Sequence, residues 1–377
     1  MVRAGKGLAH STGTGRASSP AGDGKEEPIA ARGNHASNLR PGLEPCQEEL
    51  SFHVLRAHLG LARLVLGVLV LATPAGAWAQ GLPSFAPLNP ISSSRSGLYF
   101  QPLREPAPGR WATAMALDYA SVIEYNQLPQ ADYVLDSEVL RMSLGLSRDL
   151  GARTFLMVEA SAGGAYAGFM DGFLDWYHSA LGIRVSERDK RPRDRFLYEI
   201  TLPDGRTVQR SRSNLFLDDL RVGLGFRPSL GFQTVVSLTV PTSTGPVGYG
   251  RGVPSLNLLN TVGAVLNPRV HYEGSLGLGY TPTNGSLAGL QRELFVAVTS
   301  GARVMVWGHN SVFANLFYHS PYYHGTTLPS LDRRELSLDF GWIVQTRTAG
   351  EWRVGMTEDL EPGGPGVDLV LRFGRTF

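Results

Sequence analysis

The chain has few cysteines, few lysines and few charges for its length. Its 377 residues include one cysteine, Cys46, three lysines and only 18% Asp, Glu, Lys and Arg. One cysteine excludes a disulfide scaffold, and a 42% apolar content excludes a disordered chain. With 35 basic and 33 acidic residues, the chain lacks the cationic excess of a nucleic-acid-binding protein. A β-rich soluble protein and a membrane barrel both remain open.

Long apolar runs are missing too, with one exception. Residues 64–72 form a continuous apolar stretch that follows Arg56 and Arg63 and precedes Ala77-Trp78-Ala79. A basic flank, a short apolar core and a small-x-small site predict a secretory signal peptide at 54–79, cleaved after Ala79; a buried helix is the alternative. Residues 1–53 are interpreted as a mis-called or disordered leader.

The predicted mature chain, from Gln80 onward, is neutral and contains no cysteine. It has 27 basic and 27 acidic residues, so the net charge of +2 belongs to the leader and signal. Because no second long apolar stretch follows, the exported product is periplasmic, extracellular or an outer-membrane barrel. We expect no cofactor and no bound metal.

Apolar and polar residues alternate from Trp111 to the end of the chain. This period of two, in segments of about ten residues, is typical of membrane strands that face lipid on one side. Tight connections alternate with longer ones, the longest at 163–213, which favours a bacterial outer-membrane barrel over a soluble sandwich or lipocalin-like barrel. The sequence predicts an all-β fold at 111–377, a transmembrane antiparallel β-barrel of about twelve strands, after a periplasmic or lumenal segment at 80–110. The predicted strands are 111–124, 134–148, 153–162, 214–227, 231–242, 254–266, 269–281, 291–306, 311–319, 334–347, 351–359 and 366–377.

The longest loop contains a predicted amphipathic helix at 169–182. One face carries three aromatic residues, Phe169, Phe173 and Trp176, and the opposite face carries Asp171, Asp175 and His178. These three polar residues could offer a metal-ligand face or a carboxylate-oriented histidine. The alternative, which we favour, is a solvated or rim-facing side of the helix.

This helix also carries a family resemblance, through the motif Gly168-x-x-Asp171-Gly172-Phe173-x-Asp175-x-x-His178-x-x-x-Gly182. The motif resembles that of uncharacterised proteobacterial outer-membrane proteins, domain of unknown function 3187. The resemblance covers most of 81–377 and implies an outer-membrane β-barrel without an established activity. The final Phe377 resembles the C-terminal signal that the barrel-assembly machinery reads, although Arg375 departs from that pattern.

Charged residues in the register of the inner face form the best functional lead. Their signs are mixed, so they could line a narrow water-filled passage for small polar solutes, or lock into a salt-bridged interior that closes the barrel, with the 169–182 helix tucked in. We therefore interpret the protein as a non-enzymatic small channel in the outer membrane. The predicted lumen-facing residues are Asp118, Arg141, Asp219, Arg221, Arg269, Glu273, Glu293, Arg303, Asp339, Arg347, Arg353, Asp368 and Arg372.

Two other functions remain as alternatives. His309, His319 and His324 lie near Ser311 and Ser320, as in a lipid-acting hydrolase, but no signature of that enzyme class accompanies them. A sealed structural barrel is the second alternative. We expect contact with outer-membrane lipid and lipopolysaccharide. The arginine-rich loop 184–195 could pair with lipopolysaccharide phosphates, and a solvated loop tip is the alternative. The sequence leaves the solute and the oligomeric state open.

Overall fold

The computed structural model describes residues 81–96, 98–100, 103, 108–151, 153–182, 188, 191–346, 350–361 and 364–376. The predicted leader, signal peptide and cleavage site lie outside the described residues, as do Arg347 and Phe377. Within the described residues, no helix is both long and apolar enough to cross a membrane.

Strands dominate the described part of the chain. There are three short α-helices, α1 (Pro90–Arg95), α2 (Asp171–Leu181) and α3 (Pro329–Asp332), and a 3-10 turn at Ala288–Leu290. The fifteen strands found there are β1 (Trp111–Leu128), β2 (Ala131–Asp149), β3 (Thr154–Tyr166), β4 (Leu197–Thr201), β5 (Thr207–Gln209), β6 (Ser213–Leu217), β7 (Leu220–Ser229), β8 (Phe232–Val240), β9 (Ser255–Asn267), β10 (Val270–Tyr280), β11 (Leu294–Trp307), β12 (Asn310–His319), β13 (Glu335–Gln345), β14 (Glu351–Asp359) and β15 (Leu369–Thr376).

Twelve of these strands close into an antiparallel barrel. The ring runs β1-β2-β3-β7 and then in chain order to β15, which pairs with β1 in a register that sets Asp118 opposite Arg372. The predicted twelve-stranded barrel is therefore confirmed. β2–β3, β7–β8, β9–β10, β11–β12 and β13–β14 are joined at one end, called here the short-turn rim; the opposite end is the long-loop rim.

The strands depart from prediction at the long-loop rim. β1 extends to Leu128 and β2 begins at Ala131, so both strands are longer at this rim than predicted. There β4 pairs with the outer end of β2 and β5 pairs with β4, which extends the sheet beyond the barrel wall. The predicted strand at 214–227 is split at Asp218 into β6 and β7, both of which pair with β3.

Large apolar side chains are exposed on the outside of the wall. They include Leu144, Leu276 and Val354 at mid-strand, with Trp307 and Trp352 near the short-turn rim. A soluble barrel would turn these residues inward, whereas a barrel in a bilayer exposes an apolar band flanked by aromatic residues. The alternation seen in the sequence is thus a lipid-facing exterior and a polar interior.

Helix α2 lies against the outside of this wall, not in the lumen. Its Met170 and Leu174 pack with Leu369, an outward-facing residue of β15. Gly182 ends the helix in the left-handed conformation, with φ of 70°. The aromatic face predicted from the sequence points away from the barrel, since Phe169 is 74% exposed and Trp176 is 65% exposed.

The lumen is filled by the chain that precedes β1. Described residues between 81 and 103, called here the lumenal hairpin, run toward the long-loop rim, form α1 there and return. Phe85 and Phe100 pair across the hairpin through two backbone hydrogen bonds of 3.0 and 2.9 Å. Leu82, Ile91 and Leu98 are buried.

Inward-facing glycines of the wall give this hairpin room. A Cβ atom at Gly277 would lie 2.7 Å from the Leu98 side chain, and one at Gly301 would lie 2.8 Å from the Leu82 side chain. These distances are shorter than any normal carbon contact, so wall and hairpin are complementary in shape at these points.

We predict that Leu276→Arg destabilises the barrel in a bilayer far more than Leu266→Arg. Leu276 faces outward near the middle of β10, where arginine costs about 2–4 kcal/mol; Leu266 lies one residue from the end of β9, where the cost is about 0–1 kcal/mol. Reversible unfolding from lipid vesicles measures both. Equal costs at the two positions would contradict the lipid-facing orientation.

Candidate functional site

The candidate site is the barrel lumen with its hairpin, and Arg372 of β15 lies at its centre. The Arg372 Nε donates to Thr357 Oγ1 at 2.8 Å and lies 3.4 Å from Asp339 Oδ1. One terminal nitrogen lies 3.6 Å from Asp118 Oδ1, and the other donates to the Ala86 carbonyl oxygen at 3.2 Å. The guanidinium therefore joins three neighbouring strands and the hairpin.

Further wall arginines hold the hairpin by its backbone. Arg353 donates to the Ser84 carbonyl at 2.8 Å, and Arg141 donates to the Pro87 carbonyl at 3.3 Å while pairing with Asp118 at 3.0 Å. A hairpin in a lumen leaves many carbonyl groups without strand partners, and burying such groups unpaired is costly. Wall arginines satisfy the carbonyl groups of Ser84, Ala86 and Pro87.

Helix α1 is fixed at the long-loop rim by side chains of its own. Asn89 caps it by accepting from Ile91 N at 2.8 Å and donates to the Gly366 carbonyl at 2.6 Å. Ser92 donates to Glu335 at 2.8 Å. Arg95 donates to the carbonyl oxygens of Thr281, Pro282 and Arg292 at 3.1, 3.0 and 2.9 Å.

A serine and a histidine meet where the hairpin turns back. Ser96 Oγ lies 2.9 Å from His319 Nε2, and His319 Nδ1 lies 2.5 Å from the Ser320 carbonyl oxygen. This is the distance that a nucleophile and its base require. However, both residues are buried, the His319 ring stacks on Tyr322, and Ser96 Oγ also accepts from Leu98 N. These contacts fasten the hairpin to the wall.

Two neighbouring cavities lie between the long-loop rim and the hairpin. The outer one lies between α1, β4 and the loops 241–252 and 284–287; the inner one lies between the hairpin and the wall formed by β2, β3 and β7. Asp219 and Arg251 line both cavities and pair at 3.2 Å. Burial, and next the like charge of Arg221, lower the pKa of Arg251 to about 10, so that it remains a cation at neutral pH.

Most of the predicted lumen residues line these features. Asp118, Arg141, Asp339, Arg353 and Arg372 surround the hairpin, and Asp219 and Arg221 border the inner cavity. Glu273 accepts from Leu82 N at 3.1 Å, and Arg303 pairs with Glu351 at 2.7 Å.

Three predicted lumen residues lie elsewhere. Arg269 is exposed in the turn between β9 and β10, and Glu293 is exposed in the loop before β11, because each falls just outside its strand. Asp368 precedes β15 at the long-loop rim, where it contacts the loop residues Arg188 and His178 instead of the lumen.

The polar face of α2 is turned toward the barrel rim. His178 Nε2 lies 3.4 Å from Asp368, Asp171 pairs with Arg188 at 2.6 Å, and Asp175 pairs with Arg193. Among the described residues, no group of three His, Cys, Asp or Glu side chains could hold a metal ion. Arg188 and also Arg191, which pairs with Asp136 at 3.3 Å, are thus engaged within the protein.

The comparisons with known proteins agree with the predicted family. Residues 65–236 match the family model described as a protein of unknown function (DUF3187), so the resemblance drawn from the helix motif is confirmed. No curated protein matches the chain.

Solved barrels resemble the chain distantly. The COG4313 outer membrane channel from Pseudomonas putida F1 is 13% identical with a TM-score of 0.47, covering 74% of this chain and 98% of that one. The NanC porin is 5% identical with a TM-score of 0.41, covering 70% and 98%. The translocator domain of the autotransporter NalP from Neisseria meningitidis is 9% identical with a TM-score of 0.38, covering 72% and 90%. Similarities at this level give no information about a transported solute.

We predict that Arg372→Met lowers the free energy of unfolding by about 3–5 kcal/mol, because it leaves Asp118 and Asp339 buried beside a lost cation. The matched variant Arg375→Met, three residues on, should change it by about 1 kcal/mol or less, since Arg375 stacks on the outward-facing Trp352. Denaturant unfolding in vesicles compares them. Adding Asp339→Asn to Arg372→Met should recover part of the loss; a further loss would contradict the charge-based account.

Proposed function

We propose that this DUF3187-like barrel is a gated outer-membrane channel for small polar solutes, which the lumenal hairpin holds closed. The observation that carries the proposal is that the lumen is filled by a segment of chain that is not part of the barrel wall. One segment of chain, separate from the strands, fills a lumen whose wall presents arginine, aspartate and glycine inward. If the hairpin leaves, the ring of strand hydrogen bonds remains, and the inner face of the wall carries many charged and polar side chains beside inward aromatic residues such as Phe295 and Phe317.

The contacts of the hairpin support movement. Its polar contacts are hydrogen bonds to wall side chains and loop carbonyls, which water can replace. The wall fills part of the lumen with large side chains of its own, such as Phe295 and Phe317, but has glycine where the hairpin leucines fit. The outer and inner cavities provide the approach for a solute from the long-loop rim.

We predict that a disulfide between hairpin and wall closes the channel. Leu98→Cys with Gly277→Cys brings two thiols together, since the Leu98 side chain already lies 2.7 Å from the Cβ position of residue 277. In a Cys46→Ser background, these would be the only thiols. In planar bilayers the oxidised protein should give leak-level current, and reduction should restore stepwise conductance.

Two further variants make this test decisive. Leu98→Ser with Gly277→Ser controls for lost packing without a crosslink and should be insensitive to reductant. Asn89→Ala removes the α1 cap and its bond to Gly366, so it should raise the fraction of time spent open. If neither wild type nor Asn89→Ala conducts above leak, the sealed structural barrel is the correct function.

A lipid-acting hydrolase is the second candidate, and the Ser96–His319 pair is the observation that favours it. We predict that Ser96 does not act as a nucleophile, because it is buried and faces the lumen, away from lipid. A fluorophosphonate probe on the folded protein should label wild type no more than Ser96→Ala. Labelling that disappears in Ser96→Ala would establish the enzyme instead.

A further inference from the structure

The outer cavity, called here the outer vestibule, differs in charge from the rest of the lumen. Three arginines line it, Arg95, Arg210 and Arg251, against a single lining carboxylate, Asp219. In the inner cavity, by contrast, Arg141, Arg221 and Arg251 face Glu159, Asp218 and Asp219, so the signs balance there. A cationic excess therefore lies at the mouth of the proposed route.

Two of the vestibule arginines are already engaged. Arg251 pairs with Asp219, which also accepts from Ser243 N at 3.0 Å and Arg251 N at 2.8 Å. Arg95 donates to three backbone carbonyls, and the exposed Glu293 is close enough for its charge to act on Arg95. These two cations are thus fixed in place and at least partly balanced.

Arg210 differs from both, because no hydrogen bond or ion pair of its guanidinium group is found in the part of the chain that the structure describes. Its buried Nε lacks a hydrogen-bond partner, as do the Nε atoms of Arg95 and Arg251, but those two side chains are held through their terminal nitrogens. The side chain lies directly over Gly248, whose φ of 100° and missing Cβ leave it room. A buried guanidinium nitrogen without an acceptor is costly, which makes it a ready site for an incoming anion.

The vestibule around Arg210 has a mixed lining with an aromatic and aliphatic part. Tyr198, Tyr323 and Leu287 form that part, beside polar residues such as Asn284 and Gln291. Guanidinium groups bind carboxylates in a planar, two-pronged geometry, while aromatic and aliphatic side chains favour an apolar body. Both parts of a ligand are thereby specified.

We propose that the outer vestibule binds a small organic anion, a carboxylate on an apolar body, with Arg210 pairing to the carboxylate. The inference deepens the proposed channel function, on which its physiological meaning rests, by naming the class of solute. Binding itself does not require conduction, so the two proposals can fail separately.

The experiment measures binding of benzoate to the purified full-length barrel in detergent, by titration calorimetry, with benzamide as a neutral ligand of the same shape. Wild type should bind benzoate about tenfold or more tightly than benzamide, as expected for a charge-assisted hydrogen bond. Arg210→Gln should abolish that preference, and Arg210→Lys should keep part of it. Arg212→Gln removes the same charge from an exposed residue two positions away and should bind like wild type.

Each result decides the inference. Equal binding of benzoate and benzamide by wild type would overturn it, and so would an unchanged preference in Arg210→Gln. If Arg212→Gln loses the preference as well, the effect is one of general surface charge and the site is wrong. Benzoate preference in a barrel that never conducts would keep the site and refute the channel.

Discussion

Three barrel strands and the lumenal hairpin meet at the guanidinium of Arg372. Its partners are Asp118 of β1, Thr357 of β14, Asp339 of β13 and the Ala86 carbonyl, and Phe85 packs beneath it with the ring centroid 4.7 Å from Cζ. The β1–β15 pair is where the barrel closes. One buried cation thus holds the closing seam and the obstruction of the lumen, and the rest of the interior is arranged around it.

The polarity of this barrel is the reverse of that of a soluble protein, with apolar side chains outside and charged side chains inside. Lipid takes the apolar faces of the strands, so the polar faces must be satisfied inside. Paired charges do this where wall meets wall, as between Arg303 and Glu351, and cations paired to backbone carbonyls do it where wall meets hairpin. Buried charges are tolerated only with such partners. Arg210 departs from this pattern, because no hydrogen bond or ion pair of its guanidinium group is found among the described residues, whereas Arg95 and Arg251 each have such partners.

The strands could be predicted from the sequence because side chains at alternate positions of a strand face lipid and lumen in turn, so that apolar and polar residues alternate. Arg269 and Glu293 escaped the pattern since alternation does not mark where a strand ends. For the segment before β1 the sequence left a periplasmic and a lumenal position open. Its hairpin form could not be predicted, because the segment has no periodicity and many of its contacts are made through carbonyls that every residue carries. The orientation of α2 was equally hidden, because Met170 and Leu174 fit the wall and leave the aromatic face outside. Ser96 and His319 are 223 residues apart, with no local signal.

The connection of the hairpin to β1 has a consequence for the order of assembly. The described residues between 81 and 103 are synthesised before any strand of the barrel, yet their lumenal partners extend to Arg372 of β15. The chamber that receives the hairpin is incomplete until β15 pairs with β1. The hairpin is therefore synthesised before every strand of the barrel and acquires its full set of contacts only after the last of them has paired.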